Sequence, residues 1–217
     1  MALDRVSMDC DSRLNESNFP VWKRSIDLLA SCAGLVILSP AFAVIAGLIK
    51  LDSRGPVFFR QERVGFGLSS FSIYKFRTMV ADAPQKGKPL TASGDSRITR
   101  IGKILRKTKI DELPQLINVL RGEMTLVGPR PEVPKYVNLF RRDYEEILRI
   151  RPGVTDLASL KYRNESDLLA LSEDPEREYI AHVLPDKIAL AKEYVRRSSL
   201  CFDISLIAKT VAKTLAG

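Results

Sequence analysis

Histidine and cysteine are scarce in this sequence, and their scarcity removes several chemistries. His182 is the only histidine among 217 residues, which excludes metal centres built on several imidazoles and leaves any Ser-His or Cys-His couple dependent on one side chain. Cys10, Cys32 and Cys201 form an odd, widely spaced set without a C-x-x-C pair, so neither a disulfide framework nor a cysteine zinc site is available. This usage suits a reducing compartment. A bound metal must then take oxygen ligands, which points to Mg2+, with Mn2+ as the alternative. Internal repeats and low-complexity tracts are also missing, and 45% hydrophobic with 28% charged residues is far from a disordered composition. The length allows one domain with an extension, or two small ones. Negative charge is in short supply: 34 Lys and Arg against 26 Asp and Glu give +8, which calls for an anionic partner such as nucleic acid, a nucleotide or an anionic membrane.

Charge of either sign vanishes between Asp27 and Lys50. A helix over Leu28 to Ile49 (LLASCAGLVILSPAFAVIAGLI) would reach about 33 Å, enough to cross a bilayer. A secretory signal fits poorly: Ala41-Phe42-Ala43 resembles a cleavage site, but the preceding segment is long and carries Asp4, Asp9, Asp11 and Glu16, and cleavage would leave apolar residues behind. Ser39-Pro40 interrupts the run near its centre. Pro40 removes a backbone donor and frees the carbonyl of Val36, and the Ser39 hydroxyl can bond back to Leu35 or Val36. Each arm, Leu28 to Leu38 and Ala41 to Ile49, extends only about 14 to 17 Å, half the hydrocarbon thickness. Basic residues flank both ends, Lys23 and Arg24 before and Lys50, Arg54, Arg60 and Arg63 after, so charge bias favours translocating neither. A bent hairpin that leaves by the face it entered and a straight span with a tolerated kink both satisfy this pattern. Trp22 suits an interfacial anchor in either.

Beyond Pro56 the pattern changes. Val57-Phe58-Phe59 and Phe71 to Phe76 read as strands of a hairpin around Gly65-Phe66-Gly67, which is better explained as a turn than as a phosphate loop. Ala81 to Ser96 reads as a long loop. A helix follows, with Ile98, Ile101, Ile104 and Leu105 on one face and Arg97, Arg100, Lys103, Arg106 and Lys107 around it; no acidic residue occurs from Ser96 to Ile110. Its basic face suits solvent or lipid headgroups. Thr108 to Gln115 then looks like another helix start, with Thr108 or Asp111 as cap and Pro114 in the first turn. Asp111 and Glu112 would lie at the positive end of that helix, where a carboxylate stays ionised for use as nucleophile or Mg2+ ligand; on this segment alone plain capping is the better explanation of the pair. In Gly128-Pro129-Arg130-Pro131 two prolines stiffen the backbone around an arginine, as bidentate phosphate recognition rewards, and as a turn into a helix also requires. Near the C-terminus Ile204, Ile207, Ala208, Val211, Ala212 and Leu215 form one apolar stripe opposite Ser205, Lys209, Lys213 and Thr214. That stripe fits the headgroup region of a membrane or the protein's own core.

Seven ordered segments carry a resemblance: Lys23-Arg24-Ser25-Ile26-Asp27 leading to Ser39-Pro40, Phe59 to Gly65 (FRQERVG), Lys75-Phe76-Arg77-Thr78-Met79, Leu105 to Thr108, Asp111-Glu112-Leu113-Pro114-Gln115, Val127 to Pro131 and Arg151-Pro152-Gly153-Val154-Thr155. Together, over Lys23 to Ile207, they resemble the bacterial sugar transferases of the monotopic phosphoglycosyl transferase family. The resemblance implies a helix-rich α+β fold: a polar tail over 1–20, a re-entrant, kinked membrane helix hairpin over 21–50 broken at Ser39-Pro40, and a cytosolic catalytic domain over 51–217 with a small β-hairpin and surface amphipathic helices. It implies transfer of a sugar 1-phosphate from a UDP-sugar to polyprenyl (undecaprenyl) phosphate, the first membrane step of glycan biosynthesis, at the inner leaflet of the bacterial plasma membrane. Asp111 matches the family nucleophile that forms a covalent phosphosugar intermediate and releases UMP, and Glu112 its metal-binding or proton-handling partner. Arg106, Arg130, Lys75 and Arg77 match phosphate-binding positions, with Mg2+ at Asp111 and Glu112. A homodimer is compatible with it, nucleic acid is not a partner, and the chain reads as a minimal form without N-terminal regulatory membrane segments. Two departures stand out: Asp156-Leu157-Ala158-Ser159 replaces the usual Gly-Trp-Ala-Gln, and Ala191 stands where an aspartate is common. The competing reading is a non-catalytic basic adaptor for membranes or nucleic acid, against which stands the lack of an alternating aromatic and basic platform.

Overall fold

In the computed structural model of the protein, which describes residues 20–85 and 94–215, the uncharged stretch forms one continuous helix, α1 (Val21–Asp52), running through Pro40. The expected polar tail, up to residue 19, and the centre of the Ala81 to Ser96 loop lie outside the described residues. The break expected at Ser39-Pro40 is absent from α1. The Ser39 hydroxyl donates to the Val36 carbonyl at 2.8 Å, replacing the bond that Pro40 cannot make, so the ladder passes the proline without a gap.

One stripe of α1 packs on the rest of the chain along its whole length. Asp27, Ser31 and Ile49 are buried, a side chain at Gly34 would meet Leu116, and Phe42 and Ile45 join Ile49 against Phe76 and Leu105. The opposite face, with Leu29, Val36, Ile37 and Val44, is exposed. Polar joints fasten both ends. At the N-terminal end the Asp27 carboxylate accepts from the Thr125 hydroxyl (2.6 Å) and the Leu126 N–H (3.1 Å). Lys23 donates to the Val127 carbonyl, the Tyr194 hydroxyl and Asp203, and Arg24 to the carbonyls of Val119 and Leu120. At the other end Asp52 accepts from the Ile101 N–H at 3.0 Å.

The hairpin expected after Pro56 is present: β1 (Phe58–Val64) pairs antiparallel with β2 (Ser70–Phe76), Phe58 opposite Phe76 and Val64 opposite Ser70. α2 (Arg100–Thr108) starts where the Thr99 hydroxyl accepts from the Gly102 N–H. Gly102 is needed there, since a Cβ would fall 2.0 Å from the Thr78 carbonyl oxygen. Leu105 is buried as expected, but Ile104, placed on the same face by spacing, is 59% exposed. After α3 (Leu116–Arg121), β3 (Thr125–Val127) runs parallel to β4 (Gly153–Thr155), a pairing with too few residues to leave a periodic signal. Between them lie α4 (Pro134–Leu139) and α5 (Arg141–Ile147). After β4 come α6 (Leu157–Lys161), α7 (Glu165–Ala170), α8 (Pro175–Glu178), a π turn at Tyr179–Val183 and α9 (Leu184–Arg197). Tyr136, Tyr144, Ile147, Leu169, Leu184 and Ile188 form the centre of their shared core.

The last helix, α10 (Leu200–Leu215), docks by a face other than the stripe read from its sequence. Leu206 is buried against Val127 and Tyr194, Asp203 accepts from the Tyr194 hydroxyl at 2.7 Å, and Thr210 meets Thr155 at 2.6 Å. Ile204, Ile207, Ala208, Val211 and Ala212 face outward, so a core-docking role for the stripe is overturned. Polar partners at Asp203 and Thr210 turned the helix.

Because Asp27 supplies the acceptors for two groups of β3, Asp27→Ala should cost about 2 kcal/mol, seen as a Tm lower by roughly 4–8 °C in detergent. Asp27→Asn, which keeps an acceptor, should lose less than half of that. Equal losses would show that the charge rather than the acceptor geometry holds the joint.

Candidate active site

The segment after α2 does not start a helix in the expected way. Thr108 closes α2, its hydroxyl donating back to the carbonyls of Ile104 and Leu105. Lys109 then adopts a left-handed conformation (φ 59°) and Ile110–Gln115 forms a 3-10 turn without a side-chain cap. Ile110 packs beside Ile49, Phe76 and Leu105, which carries the following Asp111 inward. Neither Thr108 nor Asp111 is used as a cap, so capping does not account for the acidic pair. The turn instead holds three buried polar atoms with no partner among the described residues: Oδ1 of Asp111 and both amide atoms of Gln115. Native interiors rarely leave such groups unmatched.

Glu112 is handled differently. Its Oε1 accepts from Lys75 Nζ of β2 at 2.8 Å and from the Arg130 guanidinium, which arrives from the segment after β3. Burial alone would raise its pKa, but Arg130 and Lys75 together hold it well below the usual carboxylate range. Burial lowers Lys75, with Glu112 opposing, whereas on Arg130 the pull of Glu112 outweighs burial and raises it. Asp111 has no such pairing. Burial first, and the neighbouring Glu112 charge second, push it up to about 6 against the partial offset of Lys75 and Arg106. Two adjacent carboxylates thus differ in kind: one neutralised by two cations, the other open.

Of the residues expected at phosphate, the structure brings Lys75 and Arg130 onto Glu112 and sets Arg106 close by. Arg106 Nε donates to the Thr78 hydroxyl at 2.8 Å. Burial lowers its pKa, and Asp111 is the leading charge that opposes this. Arg77 is placed elsewhere. It is buried and donates to the carbonyls of Ser53 (2.7 Å) and Arg54 (2.8 Å), satisfying the end of α1, where free carbonyls attract cations. A phosphate role for Arg77 is therefore not supported by its bonds. Ser39 and Pro40 lie within α1, outside this cluster. Sequence reasoning assigned no site role to Asp156, which accepts from the Arg130 N–H at 3.1 Å and the Ser159 N–H at 2.7 Å. Its one signal was its departure from the usual glycine. No group of three or more acidic, histidine or cysteine side chains able to hold a metal occurs among the described residues, so a cation here would draw most of its ligands from substrate and water.

An open buried carboxylate beside a cluster of cations can attack an electrophilic phosphorus while the cations hold its oxygens. A family model described as bacterial sugar transferase matches residues 18–217. UDP-N-acetylgalactosamine-undecaprenyl-phosphate N-acetylgalactosaminephosphotransferase of Aeromonas hydrophila is 40% identical over 200 residues, 90% of this chain and 44% of that protein. Undecaprenyl-phosphate glucose phosphotransferase of Komagataeibacter xylinus is 39% identical over 200 residues, 89% of this chain and 36% of that protein. The chain thus spans less than half the length of these two. It is also 38% identical over 204 residues to exopolysaccharide production protein PSS of Rhizobium leguminosarum bv. phaseoli, covering 90% of this chain and 96% of the relative.

Folding lifts Asp111 from an ordinary 3.8 to about 6, so its ionised form opposes folding above pH 6 and this cost is relieved as pH falls toward 3.8. Asp111→Asn should therefore raise Tm at pH 7.5, by at most about 3 kcal/mol in stability, with the gain shrinking as pH drops through 6 to 4. A lower Tm at pH 7.5 would contradict the open, unpaired state of this carboxylate.

Proposed function

The chain belongs to the bacterial sugar transferase family, and from that membership we propose that it moves a sugar 1-phosphate from a UDP-sugar to undecaprenyl phosphate through a covalent intermediate on Asp111. In the first displacement an Asp111 oxygen bonds to the sugar-bearing phosphorus, the bond to the bridging oxygen breaks, and UMP leaves with that electron pair. In the second an oxygen of the lipid phosphate bonds to the same phosphorus and frees the Asp111 carboxylate. The observation that carries this reading is the buried Asp111 Oδ1 without a partner, next to a glutamate whose charge is already matched. An anion approaching a pyrophosphate needs its own charge left unclaimed and the phosphate charge offset, a task this reading gives to Lys75, Arg106 and Arg130.

Mg2+ fits the donors present. Asp111 keeps an unpartnered oxygen, and on Glu112 the cations occupy Oε1, so these two carboxylates would hold the ion, the rest of its shell coming from phosphate oxygens and water. When bound, it would neutralise charge on the pyrophosphate and favour departure of UMP.

That both ends of α1 stay at the cytoplasmic face of the plasma membrane, although the helix runs through Pro40 without the break of a hairpin, is supported by what those ends touch. In a straight crossing Asp27 and Ile49 would lie about 33 Å apart on opposite sides of the hydrocarbon. Yet Asp27 is bonded to β3 and Ile49 is packed on β2, elements of one soluble body. The outward stripe of α10 fits headgroup contact at the same surface.

The test uses the full chain in detergent or nanodiscs with Mg2+ and a panel of UDP-sugars. Intact-protein mass should show a phosphosugar adduct that is lost in Asp111→Asn, and undecaprenyl phosphate should turn adduct formation into continuous UMP release. Adduct formation should fall at acid pH, because the carboxylate must be ionised to attack, and a bound Mg2+ should move that fall below the metal-free value of about 6. No UMP release across the panel, or an adduct persisting in Asp111→Asn, overturns the reading. For topology, a cysteine at position 15 in an otherwise cysteine-free chain should resist labelling from outside intact cells; periplasmic labelling there would establish a true span. On α10, Ile204→Ser with Val211→Ser should slow lipid-acceptor turnover more than adduct formation, and equal effects would remove the stripe from acceptor handling.

A further inference from the structure

We propose that Asp156 is a positioning residue that sets Arg130 over Glu112, acting through Arg130 rather than on substrate; the inference rests on the transfer reaction proposed above. Pro129 and Pro131 have no backbone N–H, so in the Pro129-Arg130-Pro131 triplet the Arg130 N–H is the one main-chain donor. Asp156 takes it at 3.1 Å through Oδ2. Its other oxygen accepts the Ser159 N–H at 2.7 Å, and Arg130 Nη1 donates to the Ser159 hydroxyl at 3.5 Å. One carboxylate thereby holds Arg130 at its backbone and, through Ser159, at the edge of its guanidinium. Among the described residues, the guanidinium also donates to Glu112.

Two features make this grip decisive. The first is the close approach of the strands: a Cβ at Gly153 would fall 2.0 Å from the Gly128 nitrogen, so the segments leading to Arg130 and Asp156 meet with no side chain between them. The second is a small cavity beside Arg130, of about 20 Å³, lined also by Asp156, Ala158, Lys187 and Ala191 and with room for about one water. Packing around Arg130 is incomplete at this cavity, which leaves its polar contacts to help fix its direction. Asp156 is 2% exposed, and a carboxylate that deep is retained only when its charge is met by donors. Its hydrogen-bond donors are the Arg130 and Ser159 N–H groups, a charge-assisted pairing stronger than a neutral one. A misplacement of about 1 Å in a positioning group can slow reaction about 100-fold.

The same residue also caps α6, and a cap alone would affect stability without reference to Arg130. A double-mutant cycle separates the two roles. Single-turnover UMP release by the full chain with Mg2+ and the UDP-sugar that the panel identifies is measured for wild type, Asp156→Ala, Arg130→Ala and the double variant, with Tm recorded for each. Asp156→Ala should slow release about 10- to 100-fold, and in the Arg130→Ala background the same change should alter the rate less than about 2-fold. Asp156→Asn, which keeps the volume and one acceptor, should fall between wild type and Asp156→Ala, and it replaces Asp156→Ala throughout the cycle if the alanine variant does not fold. Equal losses in both backgrounds overturn the positioning role and leave a cap. Absence of UMP release from wild type overturns the transfer reading itself, and this inference with it.

Discussion

Two carboxylates side by side in one buried turn cannot both carry charge without cations to meet them, and the rest of this structure is arranged around how that conflict is resolved. The cations are not shared evenly. Lys75 from the hairpin and Arg130 from the Pro-flanked segment converge on one oxygen of Glu112, while Asp111 is left buried and open. Burial pushes both carboxylates up, but Arg130 and Lys75 outweigh it on the glutamate, which stays ionised, while the unpaired aspartate is lifted to about 6. An aspartate in that state is costly to the fold and chemically available, the combination expected where stability has been given up for reactivity.

The elements that deliver these groups depend on α1. Its basic and acidic N-terminal residues hold β3, whose far end leads to Arg130, and its C-terminal carbonyls are closed by Arg77, next to the strand that carries Lys75. Lys23, Tyr194 and Asp203 meet in a single node that joins α1, α9 and α10. A helix with one exposed apolar face therefore shares its other side with the strands that aim the site. In the proposed reaction this coupling would keep the phosphorus at the depth of the lipid phosphate.

Much of this was legible locally. The uncharged run, the strand alternation around Gly65 to Gly67 and the proline-fenced Arg130 leave marks within a few residues, because periodicity and backbone restriction are local properties. The Ser39 bond to the Val36 carbonyl also followed from the chemistry of a proline in a helix. What the local pattern did not reveal had long-range causes. Ile104 shares the spacing of Leu105 but faces outward, and the apolar stripe of α10 is turned away because Asp203 and Thr210 find partners on α9 and β4. Arg77 looked like its neighbour in sequence, Lys75, yet serves the end of a helix.

By itself the sequence determined which chemistry was on offer: two adjacent carboxylates, several arginines and lysines near them in the chain, oxygen rather than sulfur or imidazole for any metal, and a helix too apolar to be left in water. It did not determine which carboxylate would be charged. Nor did it show that Asp156 and Ala191, two separate departures from the family pattern, border one cavity beside Arg130. Only the tertiary structure decided these points, because a carboxylate's charge depends on which cations reach it through space, and Lys75, Arg130 and Asp156 come from segments whose local patterns carry no record of one another.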